Sequence, residues 1–272
     1  MKKPQVSVIV STKNAGEVLE SCLKSIKSQT YTNIEVIVVD NYSTDSTLNI
    51  AKKYTGKVYS KGPERSVQRN FGVVKSKGEY IAWFDADMKL TKKVIEQCVI
   101  LVQKNTEASA VIIPEKSEGK GYWAACRTLE KKCYLGDERI EAVRFVKKRF
   151  FNKVGRLSED FISGEDWDIT TRLRDGGYKI GRIKNFVIHY ESNMSLINTL
   201  RKKYYYAQKS LPYVQRHVKN PKDIVLFLLR PAFFRNWRLL AADPIHAVGI
   251  FFMKMCEFGI GALGIINAKL KK

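Results

Sequence analysis

Acidic side chains are scarce in this sequence: 27 Asp and Glu stand against 48 Lys and Arg among 272 residues, a formal charge of +21. That balance excludes a cation-seeking acidic surface and points to polyanionic partners: nucleic acid, an anionic membrane face or phosphorylated small molecules. Cysteine is sparse as well. Cys22, Cys98, Cys126, Cys133 and Cys256 are odd in number, lack paired zinc-type spacing, and several sit in apolar helical patterns. Buried free thiols in a reducing compartment are therefore expected, rather than a disulfide framework. An apolar N-terminal run of signal length is missing too, since Val6 to Val10 is far too short, and the main domain is expected to stay cytoplasmic. With 44% hydrophobic residues the chain can bury one sizeable core plus an appendage.

What is present alternates. Val6-Ser7-Val8-Ile9-Val10 reads as a buried strand, and after Ser11-Thr12-Lys13-Asn14 the apolar positions Val18, Leu19, Cys22, Leu23 and Ile26 follow a helical period. Ile34 to Val39 is a second β-branched run ending in Asp40, followed by the cap-rich stretch 43–47 and a helix to Tyr54. A short strand near Val58, a helix over 66–75 and a strand over 80–84 complete the series. Further on, a helix is expected over 122–135, a basic segment over 144–151, the stretch Gly164 to Asp168 leading into a helix through Leu173, and short strands over 179–183 and 186–189. Strands and helices alternating at these lengths imply an α/β domain with a mostly parallel central sheet covered on both faces. Ligands of such sheets bind beyond the carboxyl ends of the strands. There the chain places Ser11, Thr12 and Asn14, then Asp40 and Asn41, then Asp85-Ala86-Asp87.

Two carboxylates two residues apart at a strand end direct oxygen ligands toward one hard cation. Mg²⁺ or Mn²⁺ held by so few protein ligands keeps open positions for a substrate's phosphates. The alternative is that Asp85 caps a turn and Asp87 is solvated, but the apolar strand Tyr80-Ile81-Ala82-Trp83-Phe84 just before them favours the metal reading.

In order, Val6 to Asn14, Gln29 to Glu35, Val38 to Asp45, Gln68-Arg69-Asn70-Phe71-Gly72, Gly78 to Ala82 and Asp85-Ala86-Asp87 resemble the signature of family 2 glycosyltransferases of the GT-A fold. The resemblance covers about the first two thirds of the chain and implies an inverting, metal-dependent hexosyl transfer from a nucleotide-diphosphate sugar. It assigns Ser11, Thr12, Asn14 and Asp40 to the nucleotide base and ribose. A carboxylate at Asp40 accepts from the ring N–H of uracil or guanine, which suggests a UDP- or GDP-linked donor; a helix-approach cap is the other reading of Asp40. Arg69 is implied beside the donor phosphates with Asp85, where a permanently charged guanidinium suits the task; Arg65 reads more simply as solvated. Gly164-Glu165-Asp166-Trp167-Asp168 resembles the family's acidic acceptor motif, which implies Asp166 as the catalytic base, with Glu165 as its rival and a helix-capping cluster as the alternative. His189, at the end of Val187-Ile188-His189, is implied as a third metal or diphosphate ligand beside Asp87 and Asp85; an ordinary hydrogen-bonded histidine is equally consistent with its position.

Near Ser195 the character changes, so the catalytic domain is expected over 1–195 and a basic, apolar helical region over 196–272. Val225 to Leu229, Phe233, Phe234, Trp237 and Leu239 mingle with Arg230, Arg235 and Arg238, which suits a helix in the headgroup layer. The stretch 247–266 is long enough to span a bilayer, yet Lys254 and Glu257 near its middle would each cost about 2.5–3.5 kcal/mol on insertion scales. An interfacial anchor on the cytoplasmic face of an anionic membrane, serving a lipid-linked or membrane-embedded glycan acceptor, is therefore expected over a span. Packing of these helices on the catalytic domain, or in an oligomer, is the alternative. A sugar-phosphate nucleotidyltransferase is the rival enzyme, but no Gly-rich, lysine-bearing loop follows the first strand. A nucleic-acid binder is favoured by the charge and by Tyr204-Tyr205-Tyr206 beside Arg201-Lys202-Lys203, but no nucleic-acid motif is present, so no such partner is expected. Gly259-Ile260-Gly261-Ala262-Leu263-Gly264 follows no strand and is rejected as a dinucleotide loop.

Overall fold

The computed structural model describes residues 3–105, 108–191, 194–217, 220 and 229–270. Their strands are β1 Val6–Thr12, β2 Ile34–Asp40, β3 Val58–Ser60, β4 Tyr80–Asp85, β5 Met88–Leu90, β6 Ala108–Ile112, β7 Glu115–Glu118, β8 Val143–Lys147, β9 Lys179–Arg182 and β10 Val187–Tyr190. Their helices are α1 Leu19–Lys27, α2 Thr47–Tyr54, α3 Arg65–Lys75, α4 Val94–Lys104, α5 Tyr122–Tyr134, α6 Lys148–Lys153, α7 Glu165–Asp175, α8 Leu196–Gln208, α9 Leu211–His217, α10 Pro231–Arg235, α11 Trp237–Ala242 and α12 Pro244–Leu270. These elements divide into two compact units. One comprises the described parts of Met1–Glu115, Glu141–Glu159 and Glu165–His189; the other, those of Lys116–Ile140, Asp160–Gly164 and Tyr190–Lys272.

In the first unit a seven-stranded sheet runs β3-β2-β1-β4-β8-β6-β9. The pairs β1·β2, β1·β4, β2·β3 and β6·β9 are parallel, whereas β8 is antiparallel to both of its neighbours. The central strands are buried on both faces, which explains their nearly continuous apolar runs. Alternation splits them between two cores. Val6, Val8, Val10, Val36, Val38, Ala82 and Phe84 meet Leu19, Cys22, Leu23 and Ile26 of α1 and Val94, Ile95, Cys98, Val99 and Val102 of α4. On the other face Ile9, Ile37, Val39, Ile81 and Trp83 meet Val73 of α3, Phe151 of α6, and Ile169 and Leu173 of α7. Gly72 lets α3 lie close to the sheet, because a Cβ there would come within 2.6 Å of Ile9 Cγ2. The expected α/β architecture with a mostly parallel central sheet is what is found. The basic segment 144–151 resolves into β8 followed by α6, and β8 sits inside the sheet.

The second unit is helical. Its core gathers Cys126, Leu129, Cys133 and Tyr134 of α5, Ala232 and Phe233 of α10, and Ala247, Ile250 and Met253 of α12. α12 is the one described helix long and apolar enough to cross a membrane by length and composition. Its two charges do not face outward. Lys254 and Glu257 are buried and pair at 2.6 Å, Lys254 also reaches Glu130 of α5 at 2.5 Å, and Arg127 of α5 reaches both Glu130 and Glu257. Ile245, Val248, Phe251, Met255, Leu263 and Ile266 of the same helix are exposed, as are Phe234 of α10 and Trp237 of α11. Val225 to Leu228 of the expected headgroup-layer segment lie outside the described residues. All five cysteines are free thiols, four of them buried, as their apolar settings suggested.

Candidate active site

Parallel register aligns the strand ends that carry the polar residues. Thr12 of β1 lies opposite Asp40 of β2, and Ser11 lies opposite Asp85 of β4. The Ser11 hydroxyl donates to Asp85 Oδ1 at 3.2 Å. Asn14 takes a left-handed conformation (φ 45°), its amide donating to Ser43 Oγ at 2.7 Å and its side-chain oxygen accepting from the Thr44 amide at 2.9 Å. Asp40 is fully buried; the Ser43 amide donates to its Oδ2 at 2.7 Å and the Ser43 hydroxyl to its Oδ1 at 2.5 Å. Asp40 therefore fills the turn-capping role, with one acceptor position left on each oxygen. Gln68 of α3 donates through Nε2 to the carbonyls of Thr12 and Val39 at 2.9 and 2.6 Å, tying that helix to the ends of β1 and β2.

Around these loops stands a network of charges contributed by β4, α3, β8 and α7. Arg69, 1% exposed, reaches Asp85 Oδ1 at 2.8 Å, Asp166 Oδ1 at 3.0 Å and Glu165 Oε1 at 3.2 Å. Arg65, one turn earlier and 40% exposed, lies 3.6 Å from both Asp85 and Glu165. Asp166 Oδ1 also accepts from Trp83 Nε1 at 2.9 Å, and Arg144 of β8 lies 3.7 Å from Asp166 Oδ2 and 3.1 Å from Glu115. Burial pushes the Asp85 carboxyl upward, but Arg69, Arg65 and Arg144 outweigh it and hold that group well below the usual carboxylate range. Burial opposes the charge on Arg69 and Arg144 as well, and their acidic neighbours keep both firmly protonated. Glu165 moves the other way: burial and the Asp166 charge raise it, against Arg65 and Arg69. Two adjacent carboxyls at the start of α7 thus differ, Glu165 being 4% exposed and Asp166 19%.

The third group is Asp87 with His189. Antiparallel pairing of β5 with β10 sets His189 opposite Met88, and His189 Nε2 lies 3.0 Å from Asp87 Oδ2. Asp87 Oδ1 is buried and has no hydrogen-bond partner among the described residues. An orphaned carboxylate oxygen beside an imidazole suits a divalent cation that accepts both oxygen and nitrogen, as Mn²⁺ does. Among the described residues no cluster of three or more His, Cys, Asp or Glu forms a complete protein cage, so a cation here would draw further ligands from phosphate or water. Asp85, expected as its second carboxylate, is turned toward Arg69.

Sequence reasoning therefore named Ser11, Asp85, Arg69, Glu165 and Asp166, which one network brings together, and the pair Asp87 and His189, which joins that network through Glu115, 3.5 Å from His189 Nδ1 and 3.1 Å from Arg144. It passed over Trp83, Glu115 and Arg144, and read Arg65 as solvated. Arg144 carried no distinguishing signal because it stands among other cations, and Trp83 read only as core.

Residues 7–158 match the family described as Glycosyl transferase family 2. Poly(ribitol-phosphate) beta-N-acetylglucosaminyltransferase TarP of Staphylococcus aureus is 38% identical over 130 residues, 44% of this chain and 39% of that one. Glycosyltransferase AglE of Haloferax volcanii is 27% identical over 196 residues, 65% of this chain and 64% of that one. The chain thus spans about two fifths of the length of the first relative and just under two thirds of the second. Among solved structures, mannosyltransferase PcManGT from Pyrobaculum calidifontis in complex with GDP-Man and Mn²⁺ superposes with a TM-score of 0.58 at 18% identity, covering 100% of this chain and 76% of that one. S. aureus TarS 1–349 in complex with UDP gives 0.52 at 16% identity, covering 98% and 92%. At these identities the likeness is one of fold.

Proposed function

The chain belongs to glycosyl transferase family 2, and on that footing we propose that it moves a sugar from a UDP- or GDP-linked donor to a hydroxyl or phosphate of a lipid-linked acceptor, with inversion at the anomeric carbon. The observation that carries this reading is the convergence of Asp85, Glu165 and Asp166 on Arg69 at the carboxyl end of the central sheet, where α/β folds bind their ligands.

In this reading the loop at Ser11 to Asn14 and the turn at Asp40 receive the nucleotide. Arg65, with 40% of its side chain exposed, meets the diphosphate, and the buried Arg69 acts on it through the carboxylates it positions. Asp87 and His189 hold a divalent cation, with Asp85 beside the donor phosphates; when bound, such an ion neutralises charge on the departing diphosphate. Asp166 is the base. Trp83 and Arg69 fix its Oδ1, leaving Oδ2 to take the proton from the acceptor hydroxyl. The oxygen then attacks the anomeric carbon opposite the nucleotide, the new C–O bond forms as the bond to phosphate breaks, and that electron pair leaves on the diphosphate. One base suffices and no covalent enzyme intermediate is needed. Glu165, more buried and raised by its surroundings, supports the α7 terminus beside it.

The acceptor is proposed to lie at the cytoplasmic face of a membrane. Support comes from the exposed apolar side chains of α12, with Phe234 and Trp237, in a strongly basic chain. Incubation with a panel of mass-coded sugar nucleotides and a lipid extract, with and without chelator, tests the whole. A cation-dependent mass increase on a lipid, with release of UDP or GDP, is expected; release of diphosphate from a nucleoside triphosphate instead would identify a nucleotidyltransferase.

A further inference from the structure

Within the second unit lies a cavity of about 560 Å³, a volume typical of small-molecule sites. Four cations line it, Arg127, Arg201, Lys202 and Lys203, against two carboxylates, Glu191 and Glu257. The carboxylates are already engaged: Glu257 accepts from Arg127 at 2.6 Å and from Lys254 at 2.6 Å, and Glu191 accepts from the Ser117 hydroxyl at 3.0 Å. Arg201, Lys202 and Lys203 make no ion pair or hydrogen bond with a described residue. Of the three, Lys203 is half-buried. Burial pushes its ammonium down, Lys254, Arg127 and Arg230 push it further, and Glu257 only partly opposes them. A half-buried cation in a cavity whose two carboxylates are already engaged elsewhere is costly unless an anion enters. Ser195, the N-cap of α8, and Thr199 in its first turn also line the cavity, where the helix dipole favours negative charge; the Thr199 hydroxyl donates to the Ser195 carbonyl at 2.9 Å, which leaves the Ser195 hydroxyl as the donor for a ligand.

We propose that this cavity binds a phosphate group of the acceptor, as a phosphomonoester or diphosphate, and so selects phosphorylated acceptors. A dianion satisfies the excess of positive charge, and its oxygens suit the mix of guanidinium, ammonium and hydroxyl donors. The role as an acceptor subsite rests on the glycosyltransferase reading; the anion site itself does not.

The test titrates inorganic pyrophosphate into the full chain at low salt in chelator, which removes cation-bridged binding at Asp87, and follows heat. In a second arm, phosphatidylcholine vesicles with and without a polyprenyl phosphate are sedimented with the protein. Saturable pyrophosphate binding is expected, weakened about tenfold or more in Lys203→Gln, since a charge-assisted hydrogen bond is lost. Lys209→Gln, a change outside the lining, leaves it unaltered. If Lys203→Gln also releases the protein from the polyprenyl phosphate vesicles, the phosphate is borne by a lipid; if it weakens only pyrophosphate, the source is soluble, and either result supports the site. The proposal is overturned if pyrophosphate does not saturate, if Lys203→Gln binds like the parent in both arms, or if Lys209→Gln weakens binding equally. Binding of UDP and GDP with Mn²⁺ is measured on the same preparation. Its absence alongside intact pyrophosphate binding would count against glycosyl transfer and not against the cavity.

Discussion

Replacing Glu130 by Gln tests whether the buried charges of α5 and α12 hold the second unit together. Glu130 is 2% exposed, and its carboxylate accepts from Lys254 and Arg127 at 2.5 Å each and from the Tyr134 hydroxyl at 2.9 Å. Burial raises this carboxyl, but Lys254 and Arg127 outweigh it and hold the group at about 2 against an ordinary 4.5. That displacement corresponds to about 3 kcal/mol of folding stability, in line with the cost of removing one partner from a buried pair. The sign follows from the lowered value: the contribution is complete above about 4.5 and is lost as pH falls toward about 2. The amide preserves the shape but leaves Arg127 and Lys254 sharing Glu257 alone. Hydrogen exchange of α5 and α12 peptides at neutral pH should accelerate on the order of 100-fold, the equivalent of that free energy. Urea unfolding of parent and variant should converge as the pH approaches about 2. A loss below about 1 kcal/mol at neutral pH, or a difference that persists undiminished in acid, would refute the argument.

Asp87→Asn should nearly abolish turnover without unfolding the chain, because the amide keeps the shape but removes the charge beside His189; full turnover in this variant or in chelator would remove the cation from the scheme. Asp166→Asn should lower kcat by at least about 100-fold while leaving donor affinity intact, since a base acts in the chemical step. Should Glu165→Gln be inactive and Asp166→Asn active, the two roles are exchanged. Val248→Asp with Met255→Asp, 69% and 66% exposed in the parent, should abolish sedimentation with anionic liposomes while circular dichroism stays unchanged; equal sedimentation of parent and variant would exclude α12 as the anchoring surface.

β1 and β2 were legible as β-branched runs, and β4 as an apolar run, each with its polar candidates directly after it, whereas the three-residue β3 was placed only by its spacing between two helical stretches. β8 was not, since Arg144 and Lys147 interrupt its apolar residues and the segment reads as basic surface. Its direction also matters. An antiparallel strand brings its beginning, not its end, to the edge where parallel strands finish, so inspecting the residues that follow each strand could not reveal Arg144. The compositional change near Ser195 marks where the chain turns to helices, but no local pattern shows that α5 contributes Cys126, Leu129 and Cys133 to the core formed with α10 and α12. Lys254 and Glu257 argued against a membrane span because their neighbours on α5 are far away in sequence. Asp85 and Asp87 looked like one pair, yet their side chains serve different partners, a matter of rotamer that spacing does not encode.

Gln68 has a mechanical meaning beyond its two hydrogen bonds. By clasping the carbonyls of Thr12 and Val39, at or next to the ends of two neighbouring strands, it pins the helix bearing Arg65 and Arg69 to the loops proposed to hold the nucleotide. The two guanidinium groups are thus carried on a helix tied to those loops through one short amide, and a displacement of the loops on seating a nucleotide is expected to shift Arg65 and Arg69, and the carboxylates paired with them, in the same movement.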